Sequence, residues 1–129
     1  MNDELNRKLY EMHAEICKVL TNPKRIEILN LLRDGERSVG DLALIAELPQ
    51  TSVSQHLAFL RQKGMVLSRR DGSSIYYAVA NEKIFSAMDI MKELLLENLQ
   101  ADQELVAGLA GGPVTAGATV KKYRRKAGQ

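Results

Sequence analysis

Six polar side chains crowd one short stretch of the chain: Gln50, Thr51, Ser52, Ser54, Gln55 and His56. Hydroxyl, amide and imidazole groups both donate and accept hydrogen bonds. Placed on the first turns of a helix, they can meet base edges and phosphate oxygens. Gln55 has the amide that pairs an adenine edge at two points, a contact worth about 1–3 kcal/mol of discrimination. The cations Arg61, Lys63, Arg69 and Arg70 follow, with Asp71 the one acid over residues 50–79. Clustered cations of this kind suit phosphates. The chain offers no nucleophile–base spacing, no phosphate-cradling glycine loop and no paired-carboxylate pocket, so no enzyme and no cofactor are expected.

Cys17 stands four residues after His13, on one face of a predicted helix. The pair could serve as a thiol sensor, or as half of a metal site shared by two chains. The simpler expectation is a small packed core residue, because free cysteine is commonly buried. Cys17 is thus the one redox candidate, and a single cysteine excludes an internal disulfide framework or a Cys-rich zinc module. His56 is expected to pack or bond near a DNA backbone rather than switch with pH. Met88 and Met91 read as packing rather than copper ligands.

The surrounding periodicity supplies the elements that must hold these groups. Leu5, Leu9, Met12, Ile16 and Val19 form a heptad-like stripe on a first helix over residues 4–20. Asn22-Pro23 stops it and starts a second helix, whose apolar face uses Ile26, Leu29 and Leu32 with Ile28 and Leu31 beside them. Asp34-Gly35 ends that helix. Ser38, with Asp41 three residues on, opens a short third helix with Leu42 and Ile45 facing inward. A turn falls at residues 47–50. Thr51 or Ser52 then caps a fourth helix carrying Val53, Leu57, Phe59 and Leu60, and Gly64 stops it. Segments 66–70 and 75–79 flank Asp71-Gly72-Ser73-Ser74 as a hairpin. Asn81 caps a last helix with Ile84, Met88, Met91, Leu95 and Leu99 in a stripe that Val106 extends.

Two short helices joined by a tight turn, then a hairpin, make a winged helix-turn-helix: mainly α with one small β-hairpin. A major groove about 12 Å wide accepts one helix, here residues 50–63. The helix before it braces that reader. Arg69 and Arg70, at the wing, are expected on phosphates.

The chain has 129 residues, 45% hydrophobic and 26% charged, an ordinary globular composition with room for a core. Its net charge of +2 is unevenly spread. Residues 1–120 hold 13 Lys/Arg against 16 Asp/Glu, whereas residues 121–129 hold Lys121, Lys122, Arg124, Arg125 and Lys126 without an acid. Residues 82–104 set Lys83 and Lys92 against six acids. Residues 1–107 are therefore read as the DNA-binding and dimerisation domain, and residues 108–129 as a flexible basic tail. No apolar run approaches the roughly 18 residues of a membrane span, and the charged N-terminus lacks a signal-peptide pattern; a cytoplasmic protein without membrane association is expected.

Residues 21–79 resemble the ArsR/SmtB family of winged-helix regulators. The resemblance rests on the element order and on Val53-Ser54-Gln55-His56-Leu57, Leu60-Arg61, Gly64 and the wing from Arg69 to Tyr77. It extends over about residues 5–100 and implies a homodimer, joined through the first and last helices. It also implies a transcriptional regulator, usually a repressor, on a near-palindromic operator in double-stranded DNA. The family's Cys-x-Cys metal pair falls on Ser38 and Gly40, which are not soft ligands. Its second metal site needs histidine on the last helix, and no histidine follows His56. The family's persulfide sensors use two cysteines, and this chain has one. No metal is therefore expected, and the effector is left open. The alternatives are a protein–protein module on the same scaffold or a thiol-responsive regulator using Cys17.

Overall fold

The computed structural model describes residues 2–109. Helix α1 runs Asp3–Cys17 and passes through a 3-10 turn, Lys18–Thr21, into α2, Pro23–Leu31. A two-residue strand β1, Arg37–Ser38, leads into α3, Val39–Ala46, and α4, Gln50–Gln62. Strands β2, Val66–Asp71, and β3, Ser74–Val79, form the hairpin, and α5 spans Lys83–Leu109. The chain divides into two compact units between Phe85 and Ser86. The first holds the sheet and α1 to α4. The basic tail expected from residue 108 lies outside the described residues from position 110 onward.

Local chemistry explains the boundaries. The Asn22 side chain accepts from the backbone N–H groups of Lys24 and Arg25, and Pro23 takes the first helical position. Ser38 Oγ accepts the Asp41 N–H at 3.1 Å, and Asn81 Oδ1 accepts the Lys83 N–H at 2.9 Å. Helices α3 and α4 end in the same pattern. In α4 the Met65 N–H reaches the Leu60 carbonyl and the Gly64 N–H reaches that of Arg61. Gly64 takes the left-handed position, at φ 75°. In α3 the Leu48 N–H reaches Ala43, and Glu47 occupies the left-handed position at φ 55°, ψ 47°. A glutamate there bears a steric cost that glycine escapes.

Val19, Ile28, Leu29, Leu42, Val53, Leu57 and Leu60 are fully enclosed, and Leu32 and Val66 nearly so. Burying each such side chain contributes roughly 1.5–3 kcal/mol. Together they clamp α2, α3, α4 and the base of the hairpin around one core. The sheet is antiparallel in the order β1-β3-β2, with Arg69 opposite Tyr76 and Ser38 opposite Tyr76 on the other side.

Four expectations are corrected. Ile45 is exposed, because Ala43 and Ala46 occupy the buried side of α3 with Leu42. Ile26 likewise stands outside the core of α2, where Ile28, Leu29 and Leu32 face inward. Helix α4 begins at Gln50 and not after a Thr51 or Ser52 cap: the Pro49 carbonyl accepts the Ser52 and Val53 N–H groups. Finally, Cys17 is exposed and not packed in a core. No helix among the described residues is long and apolar enough to cross a membrane.

Candidate nucleic-acid interface

Helix α4 divides into three stripes. Val53, Leu57 and Leu60 face the core. Ser52, His56, Phe59 and Lys63 form a half-buried flank. Thr51, Ser54, Gln55, Ala58, Arg61 and Gln62 form an open edge. The three- and four-residue steps of a helix produce this partition. Gln50, also exposed, turns back toward α3: a Cβ added to Gly40 would stand 3.7 Å from its amide nitrogen.

The sequence-derived candidates therefore separate. Thr51, Ser54, Gln55 and Arg61 share the open edge. Ser52, His56 and Lys63 lie on the flank. There the Arg25 guanidinium sits 4.3 Å from the Phe59 ring centre, and Lys63 Nζ lies 3.0 Å from Glu15 Oε2 of α1. Partial burial, and secondarily the nearby Arg25 charge, push the His56 imidazole below its ordinary pKa. It is the neutral, hydrogen-bonding form that stands on α4 at neutral pH. The Lys18 side chain, followed by that of Lys63, holds the Glu15 carboxyl down to about 2.

The two wing arginines also part company. Successive strand residues point to opposite faces of a sheet. Val66 is buried and Leu67 is exposed, so Arg69 belongs to the outer face and Arg70 to the other. Arg69 lies 4.7 Å from the Tyr76 ring centre. Its Nε donates to Glu36 Oε2 at 2.8 Å and its Nη2 donates to Glu36 Oε1. Arg61 and Arg70 have no ion-pair partner among the described residues.

Sequence reasoning missed Ala58, Gln62, Glu36, Tyr76 and Arg25. The first two follow from extending the exposed three- and four-residue steps past His56. The others depend on packing between segments, for which the linear pattern carries no signal. Ser38, at one position of the family's Cys-x-Cys pair, spends its hydroxyl capping α3. Among the described residues, no group of three or more His, Cys, Asp or Glu side chains is arranged to hold a metal ion.

The family model described as "Bacterial regulatory protein, arsR family" matches residues 22–68, from the start of α2 into β2. The chain is also similar to the HTH-type transcriptional regulator Rv0081 of Mycobacterium tuberculosis. The two are 37% identical over 109 residues, covering 83% of this chain and 96% of that protein. This chain belongs to the ArsR family of bacterial regulatory proteins. The crystal structure of Rv0081 superposes with a TM-score of 0.66 at 38% identity, covering 71% of this chain and 93% of that one. A solution structure from Mycobacterium bovis, Mb0332, is described as a homodimeric winged helix-turn-helix DNA-binding domain. It matches at TM-score 0.68 and 31% identity over 77% of this chain and 91% of its own. The transcriptional activator HlyU of Vibrio cholerae is 34% identical over 79 residues, covering 61% of this chain and 73% of that protein. This ArsR-family chain is therefore a winged helix-turn-helix transcriptional regulator.

Proposed function

We propose that this regulator acts in the cytoplasm as a homodimer that places two α4 helices in successive major grooves of a near-palindromic operator and represses transcription by occupying it. The reading is carried by one observation: α4 hides Val53, Leu57 and Leu60 while leaving Thr51, Ser54 and Gln55 open to solvent. Those three are the residues assigned to base edges, with Gln50 at the helix start beside the phosphates. Arg61 and Arg70 neutralise phosphates. Ser52, His56 and Lys63 support the backbone approach from the flank, and Arg69 is the second wing cation. Exposed stripes on α1 and α5 supply the dimer contact, and the M. bovis relative is described as homodimeric. Repression needs no surface beyond these, because a dimer seated on a promoter excludes polymerase.

The test is selection of bound fragments from the source genome, followed by titration across a salt series. Neutralising roughly six phosphates per dimer gives a log–log slope of about −5. Half-sites should lie about one helical turn apart. A slope near zero on the best fragment overturns the proposal. Gln55→Ala should lose about 1–3 kcal/mol of preference at one base pair per half-site while dimerisation survives. A second, thiol-responsive reading rests on the exposure of Cys17. It requires that a thiol oxidant change fragment retention by the wild type and not by Cys17→Ser.

A further inference from the structure

The wing carries a charge arrangement that DNA binding alone does not call for. Arg69 starts on β2, crosses Tyr76 of the central strand β3, and ends on Glu36, one residue before β1. Tyr76, Ser38 and Arg69 form one cross-strand row, so they share the outer face of the sheet. The Nε and Nη2 donors, the edge with which arginine grips a phosphate at two points, are both given to Glu36. Asp71 Oδ2 stands 3.8 Å from the remaining Nη1. Two carboxylates thus surround one guanidinium, and the ring of Tyr76 covers its face. The Arg69 hydrogen bond holds the Glu36 carboxyl below the usual carboxylate range, so Glu36 is ionised at neutral pH.

We propose that Glu36 is a built-in stand-in for DNA phosphate: it occupies Arg69 in the free protein and must yield it when the wing meets a duplex. The inference rests on the DNA-binding reading given above. Both partners are solvent-exposed, Arg69 at 52% and Glu36 at 40% of their side-chain surface, so water and an incoming phosphate can reach the pair. An exposed ion pair is weak enough to exchange. Its effect is to make the wing contact conditional. Arg70, without such a partner among the described residues, attracts phosphate from the start. Arg69 contributes only when a phosphate is held close enough to displace the carboxylate. A loosely placed duplex therefore gains less from the wing than a well-seated one.

There is a second consequence for salt dependence. When Arg69 is handed to phosphate, the freed Glu36 carboxylate stands beside the duplex and holds back part of the salt cation that the phosphate would otherwise release. Removing the carboxylate should restore that release.

The test compares wild type, Glu36→Gln, Arg69→Ala and the double variant on a labelled mixed-sequence duplex, by anisotropy across a salt series. Glu36→Gln should tighten binding by about three- to tenfold at low salt, since each protomer of a dimer contributes one freed rim charge. It should also steepen the log–log slope by up to about 0.9 per protomer. In the Arg69→Ala background the same substitution should change affinity by less than about twofold, because the released partner is gone. Glu36→Gln that weakens binding would make Glu36 an orienting group for Arg69 and overturn the proposal. So would an equal effect of Glu36→Gln in both backgrounds, which would reduce it to general charge. A wild-type protein that retains no duplex at low salt sinks the DNA reading itself, whereas retention with an unchanged Glu36→Gln variant sinks this inference alone.

Discussion

Helices α1 and α4 are nearly the same length and both carry apolar stripes, yet they stand in opposite relation to the protomer. Helix α4 buries Val53, Leu57 and Leu60 completely. Helix α1 buries nothing: Leu5, Leu9, Met12 and Ile16 remain between 47% and 55% exposed. The orientation of α4 is thus dictated by the chain's own core. The apolar face of α1 is complete only against something else. Its C-terminal end is tied down by buried Val19 in the 3-10 turn and by polar contacts from Arg25 and Lys63. Under the proposed function the two faces do different work: the open edge of α4 meets DNA, and the unfinished face of α1 finds a second copy.

The contrast predicts opposite responses to substitution. The largest effect should come from Leu57→Ala in α4, which removes buried methyl groups and leaves a cavity. A loss of about 2–5 kcal/mol in unfolding free energy is expected, visible as a large drop in the chemical denaturation midpoint. A loss below about 1 kcal/mol would mean that α4 is not seated in the core as described. Next is Leu9→Asp in α1. It should leave the helical signal of the protomer intact but weaken dimerisation by at least about tenfold in sedimentation, given the roughly 1.5–3 kcal/mol that a buried leucine contributes. An unchanged dimer would free α1 from the interface and erase the comparison.

The smallest effect sharpens a polar tie between α1 and the end of α4. In the native protein Glu15 is held at about 2 against an ordinary 4.5 by Lys18 first and Lys63 second. A carboxyl whose native pKa is depressed adds stability that is fully present above its unfolded value and disappears as pH falls through the native one. Glu15→Gln should therefore be slightly less stable than wild type at pH 7, and the gap should close between pH 4.5 and about 2. Urea midpoints in a buffer series measure this. A gap that persists at the acid end would assign the difference to something other than ionisation. The pair is exposed and will be screened by salt.

The same contrast explains what could be read before the fold was known. The reader helix was legible because the spacing of Val53, Leu57 and Leu60 leaves only one face for the core, and caps such as Asn22, Ser38 and Asn81 announce themselves by residue type. Ile45 misled because the three-residue step from Leu42 ignores small residues, and Ala43 and Ala46 hold the buried side of α3 instead. Strand β1 was invisible because two residues have no periodicity. The division of the candidate site into an open edge and a flank was latent in the helical steps. The pairing of Arg69 with Glu36 was not, for it depends on strand register and on a loop 33 positions away in the chain. Burial of Cys17 was expected from its residue type, and failed because α1 has no core side within the protomer.

The Arg25 guanidinium hydrogen-bonds the carbonyls of Lys18 and Val19 where α1 ends, and the same group rests on the Phe59 ring of α4. It bridges the end of α1 to α4, so in the proposed dimer a partner held on α1 would bear on the placement of α4. Two such protomers would behave as a caliper locked at one opening. On the proposed operator it would not tolerate an extra step inserted between the two halves of its target.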